Sequence, residues 1–295
     1  MPSSERRLST YLLLITMVVI WGVNFSLVKW ALSELSPLAF NAVRFTLASG
    51  LIFVLLLLKE GWRPVPPVDM LKIFGLGLLG DSLFQVLFIE GIWRTTAGNS
   101  ALFLSTTPLW TAALSVALGK ERLSGAAWAG IGLATIGVIL VAVGSSQAFS
   151  LGGPRTIGDL LVLLAALAWA GYSVFSKDLL RRYSPLRLTA MAMVTGSLGL
   201  WIFAIPAMLR QNWAAVSWRA WGAVAYSGAL GIAVAYFIWA IGVQRLGPAR
   251  TAIFSNLTPI LAFIVAFLIL GEPVTWLQGL GGVAILSGVG LTERS

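Results

Sequence analysis

Asp81, Phe84, Gln85 and Phe88 stand at i, i+3, i+4 and i+7 of an apolar run, so one helical face carries an acid, an amide and two rings. Their counterparts 151 residues on are Ile232, Ala235, Tyr236 and Trp239. A second pairing sets Trp21 and Asn24 against Trp169 and Tyr172, each ring three residues from a hydrogen-bonding group. Rings beside polar groups suit binding of an amphipathic organic solute. Ala165, Ala166, Ala168, Ala170 and Gly171 flank Trp169 and leave room beside it. Interfacial anchoring, lipid contact or plain helix packing would use the same rings. An amide is costly in lipid, which favours a cavity position for Gln85.

Two further motifs match at the offset of 151, Thr107-Pro108 and Thr258-Pro259. Proline removes the helical partner of the carbonyl four residues earlier, here Leu104 and Ser255, and bends the helix. Such carbonyls can receive a solute or ion, and the bends at Pro108 and Pro259 can act as gates. A neighbouring Ser or Thr can instead heal the kink. Asn99, Phe103, Phe254 and Asn256 lie within two turns of these prolines. Asp81 and Arg44 are the ionisable residues well inside apolar runs, where each costs about 2.5–3.5 kcal/mol and needs a partner or water. Asp81 is a candidate for a coupled proton, or the two form an ion pair. Glu121 and Glu272 are placed to open the helices that follow and to meet their positive ends, a structural role.

Several chemistries are excluded. The chain has no Cys and no His, which removes disulfides, Cys/His metal sites, histidine-based nucleophiles and proton relays. Among 295 residues 58% are apolar and 11% charged, far from the soluble norm of roughly 45–50% and 25%. The net charge of +9 is spread singly between apolar runs, which speaks for membrane topology and against nucleic acid. Gly75-Leu-Gly77-Leu-Leu-Gly80 fits the dinucleotide pattern but lies inside a span with no strand before it. Asn24-Phe-Ser26 and Asn256-Leu-Thr258 are glycosylation triplets buried in apolar runs.

The elements that position these residues are membrane helices of roughly 20 residues. Spans are expected near 11–31, 38–58, 69–92, 96–118, 125–144, 157–177, 186–208, 220–242, 249–270 and 274–291. The first is an uncleaved span rather than a signal peptide. With the N-terminus in the cytoplasm, fourteen basic residues fall in inner connections and five outside, with Arg44 within a span. That bias predicts both termini on the cytoplasmic side.

Residues 91–142 align without a gap on 242–293, with 11 of 52 pairs identical, and the match extends upstream through Gly77, Gly80, Lys29 and Pro37. The chain therefore reads as two repeats, 1–146 and 147–295, joined near the stretch from Ser145 to Gly158. Five helices in each half make the second enter the membrane inverted, so the fold class is all-α with two inverted five-helix repeats around a central cavity.

Ten spans, a small-residue stretch, a mid-span Pro and a Glu at the next helix start in each half, as from Ala101 to Glu121 and Ala252 to Glu272, resemble the drug/metabolite transporter superfamily, EamA branch. Within it the chain resembles YddG-type exporters of aromatic and other amino acids. The resemblance implies a basket in which helices 1 to 4 and 6 to 9 surround the cavity and helices 5 and 10 brace it. It further implies alternating-access export of amino acids, without cofactor, by a protein compatible with a monomer. Trp169, Tyr172, Phe84, Phe88, Phe103, Trp239, Tyr236 and Trp21 would receive the apolar side chain, and Asn24, Gln85, Asn99 and Asn256 the polar end. Lys29 and Lys177, if they point inward, would favour an anionic solute instead. Two alternatives remain open: export of lipophilic cations with Asp81 or Glu90 as counter-ion, and an intramembrane transferase, disfavoured by the missing His and Cys.

Overall fold

The computed structural model describes residues 4–95, 97–144, 156–261 and 275–294; most of the expected seam, Glu272 and the side chain of Asn99 lie outside the described residues. All regular structure among the described residues is helical. In chain order the helices are α1 (Ser4–Ala31), α2 (Pro37–Lys59), α3 (Pro67–Arg94), α4 (Ala97–Leu104), α5 (Thr107–Ala117) and α6 (Gly125–Gly144). They continue as α7 (Thr156–Leu179), α8 (Pro185–Arg210), α9 (Trp218–Leu246), α10 (Pro248–Ile253) and α11 (Trp276–Arg294).

Local chemistry sets the starts. Pro37, Pro67, Pro185 and Pro248 occupy first-turn positions, where a missing N–H costs nothing. Ser184 and Ser217 cap α8 and α9 by accepting the N–H groups of Arg187 (3.1 Å) and Ala220 (3.2 Å). Helices α1, α2, α3, α7, α8 and α9 are each long and apolar enough to cross a membrane, and shorter apolar stretches cover Leu102–Ala117 and Gly125–Val141. Helices satisfy their backbone groups internally, as a bilayer requires, and the chain is a multi-pass membrane protein.

The fourth and ninth expected spans are broken rather than bent. Helix α4 stops at Leu104 and α5 begins at Thr107, so Pro108 sits in a new first turn. In the second half α10 passes into a 3-10 segment, Phe254–Leu257, before the chain is helical again over 258–261, ahead of and through Pro259. Tertiary packing also widens α3 and α9 into π-helical turns at matching places, Leu78–Leu83 and Ser227–Val234. Such turns redirect side chains and occur often at functional sites.

Close helix contacts come in matched pairs. A Cβ on Gly77 would strike the Ala192 carbonyl and the Thr195 side chain; one on Gly228 would strike the Arg44 carbonyl and the Leu47 side chain. Each contact becomes the other when α3 residues advance by 151 and α2 residues by 148. The same exchange relates Gly80 against Tyr172 to Gly231 against Asn24, and Gly91 against Val162 to Gly242 against Leu14. Helices α6 and α11 repeat it, with Gly130 on Gly288 and Gly281 on Gly137. Glycine is required at these crossings because a Cβ would meet the backbone or a side chain of the neighbouring helix at under 3 Å.

Candidate functional site

Trp169, at the middle of α7 and 5% exposed, is the centre of an aromatic cluster. Its ring centroid lies 4.7 Å from Tyr236, 4.9 Å from Tyr172, 4.9 Å from Phe84, 5.2 Å from Trp239 and 6.4 Å from Trp21. Phe88 joins by stacking on Phe84 at 5.5 Å. The two outer indoles have hydrogen-bond acceptors: Trp21 Nε1 donates to the Gly231 carbonyl (3.0 Å) and Trp239 Nε1 to Ser173 Oγ (3.1 Å). Seven of the expected binding residues thus converge, and their rings fill the space between the helices with one another. Each close aromatic pair adds about 0.5–1.5 kcal/mol beyond burial, so separating the rings for a ligand has to be offset by the ligand's own ring.

Beside the rings lies a polar layer. Gln85 Nε2 donates to the Tyr236 hydroxyl (2.5 Å), Asn41 Nδ2 donates to the Gln85 backbone carbonyl (3.1 Å), and Arg44 Nη2 donates to Gln85 Oε1 (2.9 Å). Arg44, 1% exposed, also donates through Nε to Asn41 Oδ1 (2.9 Å) and through Nη1 to Ser227 Oγ (2.7 Å), with its guanidinium 4.9 Å from the Phe40 ring. The expected ion pair is therefore not formed: Arg44 is held by neutral acceptors and a ring, while both carboxylate oxygens of the fully buried Asp81 lack a hydrogen-bond partner. The reason is placement, since α3 directs Gln85 rather than Asp81 at α2. Asn41, Ser227 and Phe40 were not singled out from sequence. Asn41, at i−3 from Arg44, shares its face and was findable; Ser227 comes from the other half and carried no local signal.

The remaining candidates divide. Asn24 is buried against Gly231 with an unpartnered Oδ1, and Asn256, fully buried in the 3-10 segment, has both amide atoms unpartnered. Phe103 is half-buried on α4 and is not among the rings around Trp169; its counterpart Phe254 stacks on Tyr11 at 5.6 Å. The carbonyls expected to be bared by proline are engaged: Leu104 O accepts from Thr107 Oγ1 (2.6 Å), and Ser255 O from the Thr258 N–H. The hydroxyl of the Thr-Pro motif heals the first break. Glu90 pairs with Arg94 instead of serving the centre.

Polar contacts tie the halves at both ends. At the end rich in basic residues, Asp69 binds Arg182 (3.2 Å) and the Tyr183 hydroxyl (2.8 Å), Glu60 binds Ser184 (2.6 Å) and Arg187 (3.5 Å), and Lys120 pairs with Asp178. Burial, and then the bond to Asp69, raise the pKa of the Tyr183 phenol above its ordinary value. Glu121 does not cap its own following helix as expected. It accepts from the Ala249 N–H at the start of α10 (3.1 Å) and from Lys177 (3.2 Å), because Gly247 at φ +93° brings that helix end against it. Lys177 is thereby used in this bridge, and Lys29 is exposed. At the opposite end the contacts between halves include Glu34 with Ser217 (2.9 Å), Ser36 N–H with Gln211 (2.9 Å) and Thr95 with Asp159 (2.5 Å).

The sequence model of the EamA-like transporter family matches twice, over residues 8–143 and 156–294. The "Uncharacterized transporter YyaM" of Bacillus subtilis is 28% identical, covering 96% of this chain and 93% of that protein. A "Probable amino-acid metabolite efflux pump" of Salmonella typhimurium is 29% identical over 94% of this chain and 92% of its own. A "Probable terminal-alkyne amino-acid exporter" of Streptantibioticus cattleyicolor is 29% identical, with 95% and 92% covered. A crystal structure at 20% identity shares the fold with a TM-score of 0.79, covering 96% of this chain and 98% of that one.

Proposed function

Because the chain belongs to the EamA-like transporter family of the drug/metabolite transporter superfamily, we propose that it exports amino acids, aromatic and other hydrophobic ones foremost, by alternating access across a bacterial inner membrane. Ten spans in two inverted five-helix repeats, 1–146 and 147–295, with both termini cytoplasmic, form the carrier; it performs no chemistry on its solute and needs no cofactor. The observation that carries this reading is the ring cluster around Trp169, which lies beside a hydrogen-bonded polar layer and draws on both halves. The matched glycine contacts support a two-fold relation between the halves, and an antiparallel pair can exchange conformations to face either side. Relatives named for amino-acid export support the solute class.

The solute's apolar side chain replaces ring–ring contacts at Trp169, Tyr172, Phe84, Phe88, Tyr236, Trp239 and Trp21, and its polar end meets Gln85, Asn24 and Asn256. Pro108 and Pro259 stand at the breaks, which act as gates. A second reading, export of lipophilic cations, draws on the unpartnered carboxylate of Asp81. Counterflow in proteoliposomes with amino acids, organic cations and sugar phosphates decides between them. Amino-acid counterflow that leaves the solute unmodified is the expected outcome; cation flux with no amino-acid signal would falsify it.

A further inference from the structure

Arg44 and Asp81 form an unusual pair in an apolar bundle: a basic and an acidic side chain, both buried, each without the other as partner. A structural ion pair would have closed on itself, since an uncompensated charge in this setting costs several kcal/mol. The three hydrogen bonds of Arg44 use three of its five N–H donors and bring no negative charge. Asp81 sits against Gly196 on one side, and Gly80 beside it packs on Tyr172. Gln85, which binds Arg44, stands four residues, about one turn, from Asp81 along α3. Tyr236 is bonded to Gln85, the same amide that Arg44 holds.

We infer that Asp81 and Arg44 are the two jaws of a zwitterion clamp, Asp81 taking the ammonium and Arg44 the carboxylate of one α-amino acid, whose side chain enters the rings at Trp169 and Phe84. A head group carrying both charges bridges that turn of α3, with one hydrogen bond at either end. A guanidinium with free donors binds a carboxylate through paired N–H groups, and a bare carboxylate binds an ammonium. A solute carrying both signs compensates both buried charges, whereas a lone amine or a lone acid leaves one uncompensated. The clamp rests on the amino-acid reading above and adds a reason for discrimination by head group.

The test is phenylalanine counterflow in proteoliposomes, competed by 2-phenylethylamine and by 3-phenylpropionate, which keep the ring and one charge each. In the unmodified protein neither competitor should match unlabelled phenylalanine. Asp81→Asn breaks no hydrogen bond of the resting structure, so it should purify as a monodisperse protein and lose phenylalanine flux by about tenfold or more. Arg44→Gln should lose flux similarly and Arg44→Lys should restore part of it. Flux within about twofold of the unmodified protein in Asp81→Asn, or competition by the amine as strong as by phenylalanine, overturns the clamp while leaving amino-acid transport standing. Absence of any amino-acid flux in the unmodified protein, alongside flux of another solute, removes both.

Discussion

Gln85 donates a 2.5 Å hydrogen bond to the hydroxyl of Tyr236, a residue 151 positions away and its own counterpart in the repeat. Trp21 and Trp169, counterparts at an offset of 148, likewise meet ring to ring at 6.4 Å. Two equivalent residues can touch only where the operation that relates them leaves space nearly unmoved. These two contacts therefore mark a line through the aromatic cluster, along which the two halves contribute equally.

The Gln85–Tyr236 bond should couple the halves energetically. Tyr236→Phe leaves the Gln85 amide short of a partner in a buried site and should lower thermal stability in detergent by about 1–3 kcal/mol. Gln85→Leu together with Tyr236→Phe should cost less than the sum of the two, and additive losses would show that the bond carries no coupling.

Trp169 touches five other rings, and Trp169→Phe keeps part of that packing while shrinking the platform. Phenylalanine counterflow should fall at least about threefold, with normal expression and a stability loss of about 1–3 kcal/mol. Unchanged flux and affinity would return the cluster to a packing role.

Gly247 has φ +93°, and a Cβ there would run into Glu121. Gly247→Ala should therefore destabilise the basic end by more than about 1 kcal/mol. Glu121→Gln removes the charge that holds Lys177 while keeping the shape, and should favour opening at that end. A reporter cysteine at Ser184, across from Glu60, should then react faster with a water-soluble maleimide; an unchanged rate would exclude a gating role for the bridge.

The chain contains no cysteine, so single replacements report topology without background. Gly61→Cys, next to Lys59 and Arg63, should be shielded from an impermeant thiol reagent in intact cells, and Asn212→Cys should be labelled. The reverse pattern would invert the orientation assigned here.

Much of this arrangement was readable in the residues. Apolar runs between basic connections locate the helices because the bilayer tolerates little else, and Pro37, Pro67 and Pro185 mark starts within two residues of those expected at 38, 69 and 186. Helical periodicity grouped Phe84, Gln85 and Phe88, whereas the π-helical turn at Leu78–Leu83 sets Asp81 against Gly196. The repeat was legible through its glycines and prolines, which sequence retains because backbone crossings and breaks permit few substitutes.

Contacts between distant segments could not be read this way. Nothing local distinguishes Ser227 from any other span serine, yet it holds Arg44 across 183 positions of chain. Whether Arg44 meets Asp81 or Gln85 depends on how α2 and α3 are rotated against each other, which the π-helical turn at Leu78–Leu83 helps to set. Glu121 was expected at the head of its own helix and instead bridges to α10, because the fold brings Gly247 there. Composition and periodicity determined that this protein is a doubled bundle of membrane helices with rings and a few polar groups facing inward. Only the tertiary structure decided which of those groups pair, because pairing is set by helix rotation and crossing, and those arise from packing between residues far apart in the chain.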